Sequence, residues 1–312
     1  MLDRPIFEEP RAQGANPPAP GVDRYRVSLH KSSVAHVEDG SLPPGWEMPP
    51  LYETAHQIIL PYQGLFACSV GSRGWVLDAN RTLFVSPRQE HAIDHPLRCT
   101  GDAALLITPS CEVLDELCHA GGSTIGTAFA DPSRPSTMRL RLMTQYLRQS
   151  MWKGRDSLRF DEWVIYSLRE AFYALHAPSR PAAKLVEKTK QLLHARFGER
   201  LSLQQIATEI GVTPAYLTQE FTRSEGTPLY RYQLHLRLGK ALLDLPSCDN
   251  ITGLALDLGF SSHSHFTAVF RKEFGLTPSQ YRLSVASQQF ALKEDWKADG
   301  AGRTGPRLAA VG

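Results

Sequence analysis

The feature that most restricts what this chain can fold into is an internal echo in its last third. Ile206-Ala207-x-x-Ile210-Gly211 recurs as Leu254-Ala255-x-x-Leu258-Gly259, an offset of 48 residues. The echo continues with small insertions, pairing Leu217 with Phe266, Phe221 with Phe270, Gly226 with Gly275 and Thr227-Pro228 with Thr277-Pro278. Two copies of one supersecondary unit are expected.

Each copy reads as helix, tight turn, helix. Ser202 with Gln205 three positions on forms a capping box, so a helix is expected from about Leu203 to Ile210, ended by Gly211 in a left-handed conformation. Thr213 caps the next helix, with Pro214 at its first position, where the missing N–H costs nothing. In the second copy Asn250 is the cap, Gly259 the stop, and Ser261 or Ser262 starts the last helix. This is the helix-turn-helix signature.

Leu217 with Phe221, and Phe266 with Phe270, lie four apart and should anchor each second helix to a core. The opposite faces present Ala215, Thr218, Gln219 and Thr222 in the first copy, and His263, Ser264, Thr267 and Ala268 in the second. These eight are the candidate base-contacting residues. A polar face on a single amphipathic helix is commonly only solvated surface, but two copies with matched caps, turns and spacing are a far more specific signal. The joining stretch PLYRYQLHLRLGKALLDL runs without a helix breaker from Pro228. Its roughly 27 Å, at about 1.5 Å per residue, suits a strut holding two recognition helices about one DNA turn (~34 Å) apart.

The segment from Lys184 to Arg282 resembles the AraC/XylS family of bacterial transcription regulators. GFSSHSHFTAVFRKEFGLTPSQYR is similar to that family's most diagnostic stretch, and IATEIGVTPAYLTQEF to its first unit. The resemblance implies double-stranded promoter DNA as partner, RNA polymerase as a second, usually transcription activation, and a homodimer. Two positions depart from the family pattern: where members often carry Arg, this chain has Gln219 and Ala268. Arg favours guanine, Gln suits adenine, and Ala offers only apolar contact to a thymine methyl, so half-sites less dependent on guanine are expected. Lys190, Arg196, Arg223, Arg231, Arg237, Arg271 and Lys272 are the candidate phosphate contacts, about half of them expected to touch the backbone.

Charge agrees with this division without proving it. Residues 184–285 hold 12 Lys and Arg against 9 Asp and Glu, a net +3, and the remainder carries −1. With 312 residues, 42% hydrophobic and 21% charged, the chain is expected to be a two-domain globular protein rather than a fibrous or wholly disordered one. No run approaches the ~20 apolar residues of a membrane span, so no membrane partner and a cytoplasmic location are expected.

The predicted fold class is α+β with two domains. Residues 1–22 are expected to be disordered, 23–176 to form a sensor and dimerisation domain, 177–183 a proline linker, 184–286 the DNA-binding domain, and 287–312 a disordered tail. In the first domain, short apolar runs such as HQIILPYQG, LFACSV, WVLDANRTLFVSP and AALLITP read as antiparallel strands, with Asp78-Ala79-Asn80 as a turn. STMRLRLMTQYLRQSMWKG and DSLRFDEWVIYSLREAFYALH read as two closing helices, the second carrying Trp163, Val164, Leu168, Ala171, Phe172 and Leu175 on one face. The family plan implies that this domain is a cupin-like β-barrel that binds an unidentified small-molecule effector.

Two alternatives stand beside this reading of the first domain. A metal-dependent cupin enzyme would gather histidines, and His91 and His95, each preceded by a carboxylate (Glu90, Asp94), lie near Pro87 and Pro96, with His36 and His56 upstream. The His-x-His followed by Glu of cupin metal sites is missing and the prolines suggest a loop, so no metal, no cofactor and no enzyme activity are expected. A thiol switch would pair Cys111 with Cys118 or Cys68 with Cys99, Cys248 being the fifth cysteine. Cys111 and Cys118 are two helical turns apart, about 10.5 Å, too far to bridge, so plain reduced thiols are the expectation.

Overall fold

The computed structural model describes residues 26–42, 51–70, 73–94, 102–120, 122–152, 157–173 and 184–287. The expected disordered N-terminus (1–22), the linker (177–183), the tail after residue 287, and Leu175, His95 and Cys99 lie outside the described residues.

Strands are numbered in chain order. A six-stranded antiparallel sheet holds β1 (Arg26–Lys31), β2 (Ala35–Leu42), β9 (Asp102–Pro109), β4 (Gln57–Gln63), β7 (Arg81–Val85) and β10 (Ser133–Pro135), in that spatial order. A four-stranded sheet holds β3 (Leu51–Tyr52), β8 (Glu90–Asp94), β5 (Phe66–Val70) and β6 (Arg73–Leu77). The two-residue period of a strand divides the larger sheet into two faces. Ile59, Leu83, Val85, Ala104 and Leu106 point at Phe66, Cys68, Trp75 and Leu77 of the smaller sheet. Val37, Ile58, Leu60, Phe84, Leu105 and Ile107 point the other way, onto helices.

Those helices are α1 (Cys111–Ala120), α2 (Ile125–Ala128), α3 (Met138–Trp152) and α4 (Ser157–Tyr173). Val164, Leu168, Ala171 and Phe172 of α4 all enter this core, so the apolar face read in the sequence is spent inside the domain. The N-terminal region is thus three layers: small sheet, large sheet, helices. This corrects the expected closed barrel. Among the described residues no strand pairing joins the edges of the two sheets, which stay open and meet through side chains alone. The loop expected around His91 is also corrected: residues 90–94 form β8, paired with β5 from Ala67↔Asp94 to Val70↔His91.

The C-terminal region is all helical: α5 (Lys184–Ala195), α6 (Leu203–Ile210), α7 (Pro214–Glu225), α8 (Leu229–Asp244), a short 3-10 turn (Leu245–Ser247), α9 (Ile251–Asp257), α10 (His263–Phe274) and α11 (Pro278–Ser287). It has two cores. Val186, Leu193, Ile206, Ala207, Leu217, Phe221 and Tyr232 build the first unit. Leu242, Ala255, Phe260, Phe266, Phe270 and Tyr281 build the second, and Met138, Leu142 and Tyr146 of α3 join it. Helix α3 therefore has two working faces, because Leu140, Leu147 and Met151 pack on the large sheet.

Candidate nucleic-acid interface

The caps read in the sequence set the geometry of both units. The Ser202 hydroxyl accepts from the Gln205 N–H at 3.2 Å and the Gln205 side chain accepts from the Ser202 N–H at 2.8 Å, completing the capping box. Gly211 (φ +81) then turns the chain, and the Val212 N–H closes on the Ala207 carbonyl at 2.9 Å. Thr213 caps α7 through the Tyr216 N–H at 3.3 Å. The second unit repeats this with Asn250 on Gly253 (2.9 Å), Gly259 at φ +78, the Phe260 N–H on the Ala255 carbonyl (3.0 Å), and Ser262 on His265 (3.1 Å). Ser262, of the two serines considered, is the cap.

With Leu217, Phe221, Phe266 and Phe270 fully buried, α7 and α10 must turn their remaining faces outward. Ala215 and Gln219 are exposed, and Thr218 and Thr222 half-buried, on one. His263, Ser264 and Ala268 are exposed, and Thr267 half-buried, on the other. Ala215, Thr218, Gln219 and Thr222 line one open concave surface with Pro214, Arg223 and Leu203. The Thr218 hydroxyl donates to the Pro214 carbonyl at 2.9 Å, which fixes its rotamer and leaves its oxygen lone pairs and methyl for a ligand. On α10, His263 and Thr267 approach within 3.4 Å through Nε2 and Oγ1.

Two residues at this surface were not singled out in the sequence. Leu203, 40% exposed at the start of α6, lines the concavity, and Tyr216, 50% exposed, stands at the start of α7. The available signal for Leu203 was an apolar side chain directly after a cap, and for Tyr216, three positions after the Thr213 cap, an aromatic outside the Leu217–Phe221 core face.

The candidate phosphate contacts separate clearly. Arg231, Arg271 and Lys272 are exposed. Arg223 is exposed and paired with Glu220, and Arg196 is paired with Glu199 and, at 2.6 Å, with Glu209. Two expectations are corrected. Lys190 is 1% exposed: its Nζ donates to the Val76 carbonyl at 2.8 Å and pairs with Glu225 at 2.8 Å, so in this arrangement it cannot reach a phosphate. Arg237, half-buried on α8, donates to the Gly259 carbonyl (3.1 Å) and the Glu199 carbonyl (3.0 Å), tying the turn of the second unit to the loop before α6. Both were misassigned because a sequence gives the charge of a side chain but not the neighbour it is folded against.

Residues 206–284 match a family model described as a helix-turn-helix domain. A solved AraC-type DNA-binding domain from Chromobacterium violaceum is 33% identical over 33% of this chain and 93% of that one, with a TM-score of 0.31. The chain belongs to the AraC/XylS family. The Msm operon regulatory protein of Streptococcus mutans is 28% identical over 102 residues, 32% of this chain and 36% of the relative. The transcriptional activator RhaS of Escherichia fergusonii is 34% identical over 91 residues, 29% of this chain and 33% of the relative. The chain thus spans about a third of the length of these two curated relatives.

The AraC-type domain is also bolted to the sheets through the turn between β6 and β7. The Asp78 carboxylate, fully buried, accepts from the Tyr232 hydroxyl and pairs with His194 at 3.0 Å, while Arg81 faces Glu225 at 3.8 Å. Burial alone would raise the Asp78 carboxyl. The His194 hydrogen bond, the positive Lys190 and the Tyr232 hydroxyl outweigh it and hold the group well below the usual carboxylate range. At the other unit, Arg141 of α3 donates to the His235 carbonyl at 3.2 Å and Tyr146 meets Ser284 at 2.8 Å.

Of the groups raised for metal chemistry, His91 is buried, its Nδ1 lying 3.4 Å from the Gln89 carbonyl. His36 bonds Ser28 at 2.8 Å and the His56 ring packs on Phe129. Among the described residues no three His, Cys, Asp or Glu side chains converge as a metal site. Cys68, Cys111, Cys118 and Cys248 are free thiols, and burial pushes the Cys68 thiol up to about 12, away from thiolate reactivity. No described helix is long and apolar enough to cross a membrane.

Proposed function

We propose that the chain is a sequence-specific transcription regulator whose α7 and α10 enter successive major grooves of promoter DNA. The observation that carries this is the pair of capped helix-turn-helix units on the 16-residue strut α8, about 24 Å long, each turning a polar face away from an aromatic core. Base reading is assigned to Ala215, Thr218, Gln219, Thr222, His263, Ser264, Thr267 and Ala268. Backbone contact is assigned to Arg196, Arg223, Arg231, Arg271 and Lys272. Family membership extends the proposal to RNA polymerase and a homodimer as partners.

The test starts from duplexes selected out of a random pool by the purified chain. Gln219→Ala is expected to cost about 1–3 kcal/mol on a selected site and little on scrambled DNA, while Arg271→Ala lowers affinity on both and reduces the salt slope. Equal losses from Gln219→Ala on both DNAs would remove it from the base-reading set.

We also propose that the regulator answers an effector and activates transcription. The buried Asp78 turn supports this reading, because it joins the sheet sandwich to helices α5 and α8 of the first DNA-binding unit. An effector that binds one arrangement of the two regions better than another shifts their populations, and with them DNA affinity. Footprinting in the presence and absence of candidate metabolites reads that shift.

A further inference from the structure

Two recognition helices read one operator only if their separation and relative rotation match the duplex, where each base pair adds about 3.4 Å and about 35°. Helix α8 sets the separation, whereas the rotation depends on what else joins the two units. They also touch each other directly. The loop from α5 to α6 lies against the turn between α9 and α10: Phe197 packs on both helical cores, and a Cβ on Gly198 would come within 3.0 Å of the Asp257 carbonyl. Two arginines cross this seam. Arg200 of the loop donates to the Phe260 carbonyl, and Arg237 of α8 donates to the Gly259 carbonyl at 3.1 Å and to the Glu199 carbonyl at 3.0 Å.

We propose that Arg200 and Arg237 are positioning residues that lock the two helix-turn-helix units into one relative orientation and thereby set the half-site spacing the chain accepts. The consequence on DNA rests on the regulator reading; the lock itself rests on the seam alone. The planar guanidinium presents its N–H groups in fixed directions, so Arg237 holds carbonyls of both units at once, in an angular relation that the rotatable ammonium of a lysine would not impose. Gly259 makes room for it. A Cβ there would stand 3.0 Å from the guanidinium carbon, so the glycine serves the lock as well as its own left-handed turn. Burial, and then the positive Arg200 beside it, hold the Arg237 guanidinium below its ordinary value, which marks the two cations as neighbours. The partial negative charges of the three carbonyl oxygens offset their repulsion.

The test uses the full chain and three duplexes made from a selected operator: the native spacing, one base pair inserted between the half-sites of one chain, and a single half-site. The insertion is expected to cost the wild type at least about tenfold in affinity. Arg200→Met combined with Arg237→Met keeps both stems and removes the guanidinium donors. This double variant should bind the single half-site as the wild type does and lose less than about threefold on the insertion. A variant that was merely less stable would weaken on all three duplexes alike. An insertion penalty equal in variant and wild type, a wild type indifferent to the insertion, or an equal loss on the single half-site would overturn the assignment. Should the double variant fail to fold, Gly198→Val, which forces the loop off the Asp257 carbonyl, puts the same question. Without DNA, spin labels carried by a non-natural amino acid at Ala215 and Ala268 should give a narrow distance distribution in the wild type and a broad one in the variant. Equally narrow distributions would overturn the lock. A chain that shows the broadening and selects no DNA would instead sink the regulator reading and leave the lock standing.

Discussion

Asp102 shows how one residue can set a measurable property of the molecule. It is 7% exposed, and burial raises its carboxyl from the ordinary 3.8 to about 7. Between those values the folded chain holds a proton that the unfolded chain releases, so raising the pH through this window lowers stability. The full effect is about 4 kcal/mol at ~1.4 kcal/mol per pH unit. Urea unfolding from pH 4 to 7 is expected to show Asp102→Asn gaining stability relative to the wild type by up to this amount, because the variant lacks the Asp102 contribution. His235 opposes it over part of the range. Burial, Arg141 and Arg231 lower its imidazole to about 3, so it favours the folded state as pH rises from about 3 towards 6.5. The wild-type profile stays nearly flat where His235 cancels Asp102, and a difference between Asp102→Asn and the wild type that does not change with pH would contradict the Asp102 reading. Gln219 and Lys190 mark the limit of residue-level reading. Both are polar in the sequence, yet one lies exposed on a recognition face and the other is sealed under Glu225.

At the scale of the element, the helix ends were legible because their causes are local. A cap, a proline at the first position and a left-handed glycine act within a few residues, so Ser202, Thr213, Pro214 and Gly211 could be assigned without knowing the fold. The same locality separates two glycine variants. Gly211 (φ +81) has open space where a Cβ would stand, so Gly211→Ala is expected to cost only the left-handed strain, about 1–2 kcal/mol. Gly259 (φ +78) carries the same strain and would also push a Cβ to 3.0 Å from the Arg237 guanidinium. Thermal melts should show Gly259→Ala as the more damaging, and only it should disturb the tie between the two units. Strand β8 was misread for the complementary reason. The flanking Pro87 and Pro96 suggest a loop, but pairing with β5 decides the matter.

For the whole molecule, the joint between sheets and helices is the decisive feature. Removing the Asp78 carboxylate leaves His194 and Tyr232 without their shared acceptor and takes a negative charge from beside Lys190, a loss of about 3–5 kcal/mol for such buried partners. Asp78→Ala is expected to split unfolding into two transitions, sheet region and AraC-type domain, where the wild type shows one; a single transition in both would mean that the α3 contacts alone hold the regions together. By itself the sequence determined the two helix-turn-helix units, their caps, the strut and the strand-then-helix texture of the first half, since these follow from short-range periodicity and backbone preference. Only the tertiary structure decided which charges are free for DNA, that the sheets form an open sandwich, and that α3 and the Asp78 turn grip the DNA-binding units. Those outcomes depend on contacts between residues far apart in the chain, more than a hundred positions for Val76 with Lys190 and Asp78 with Tyr232, and no local pattern encodes such a pairing.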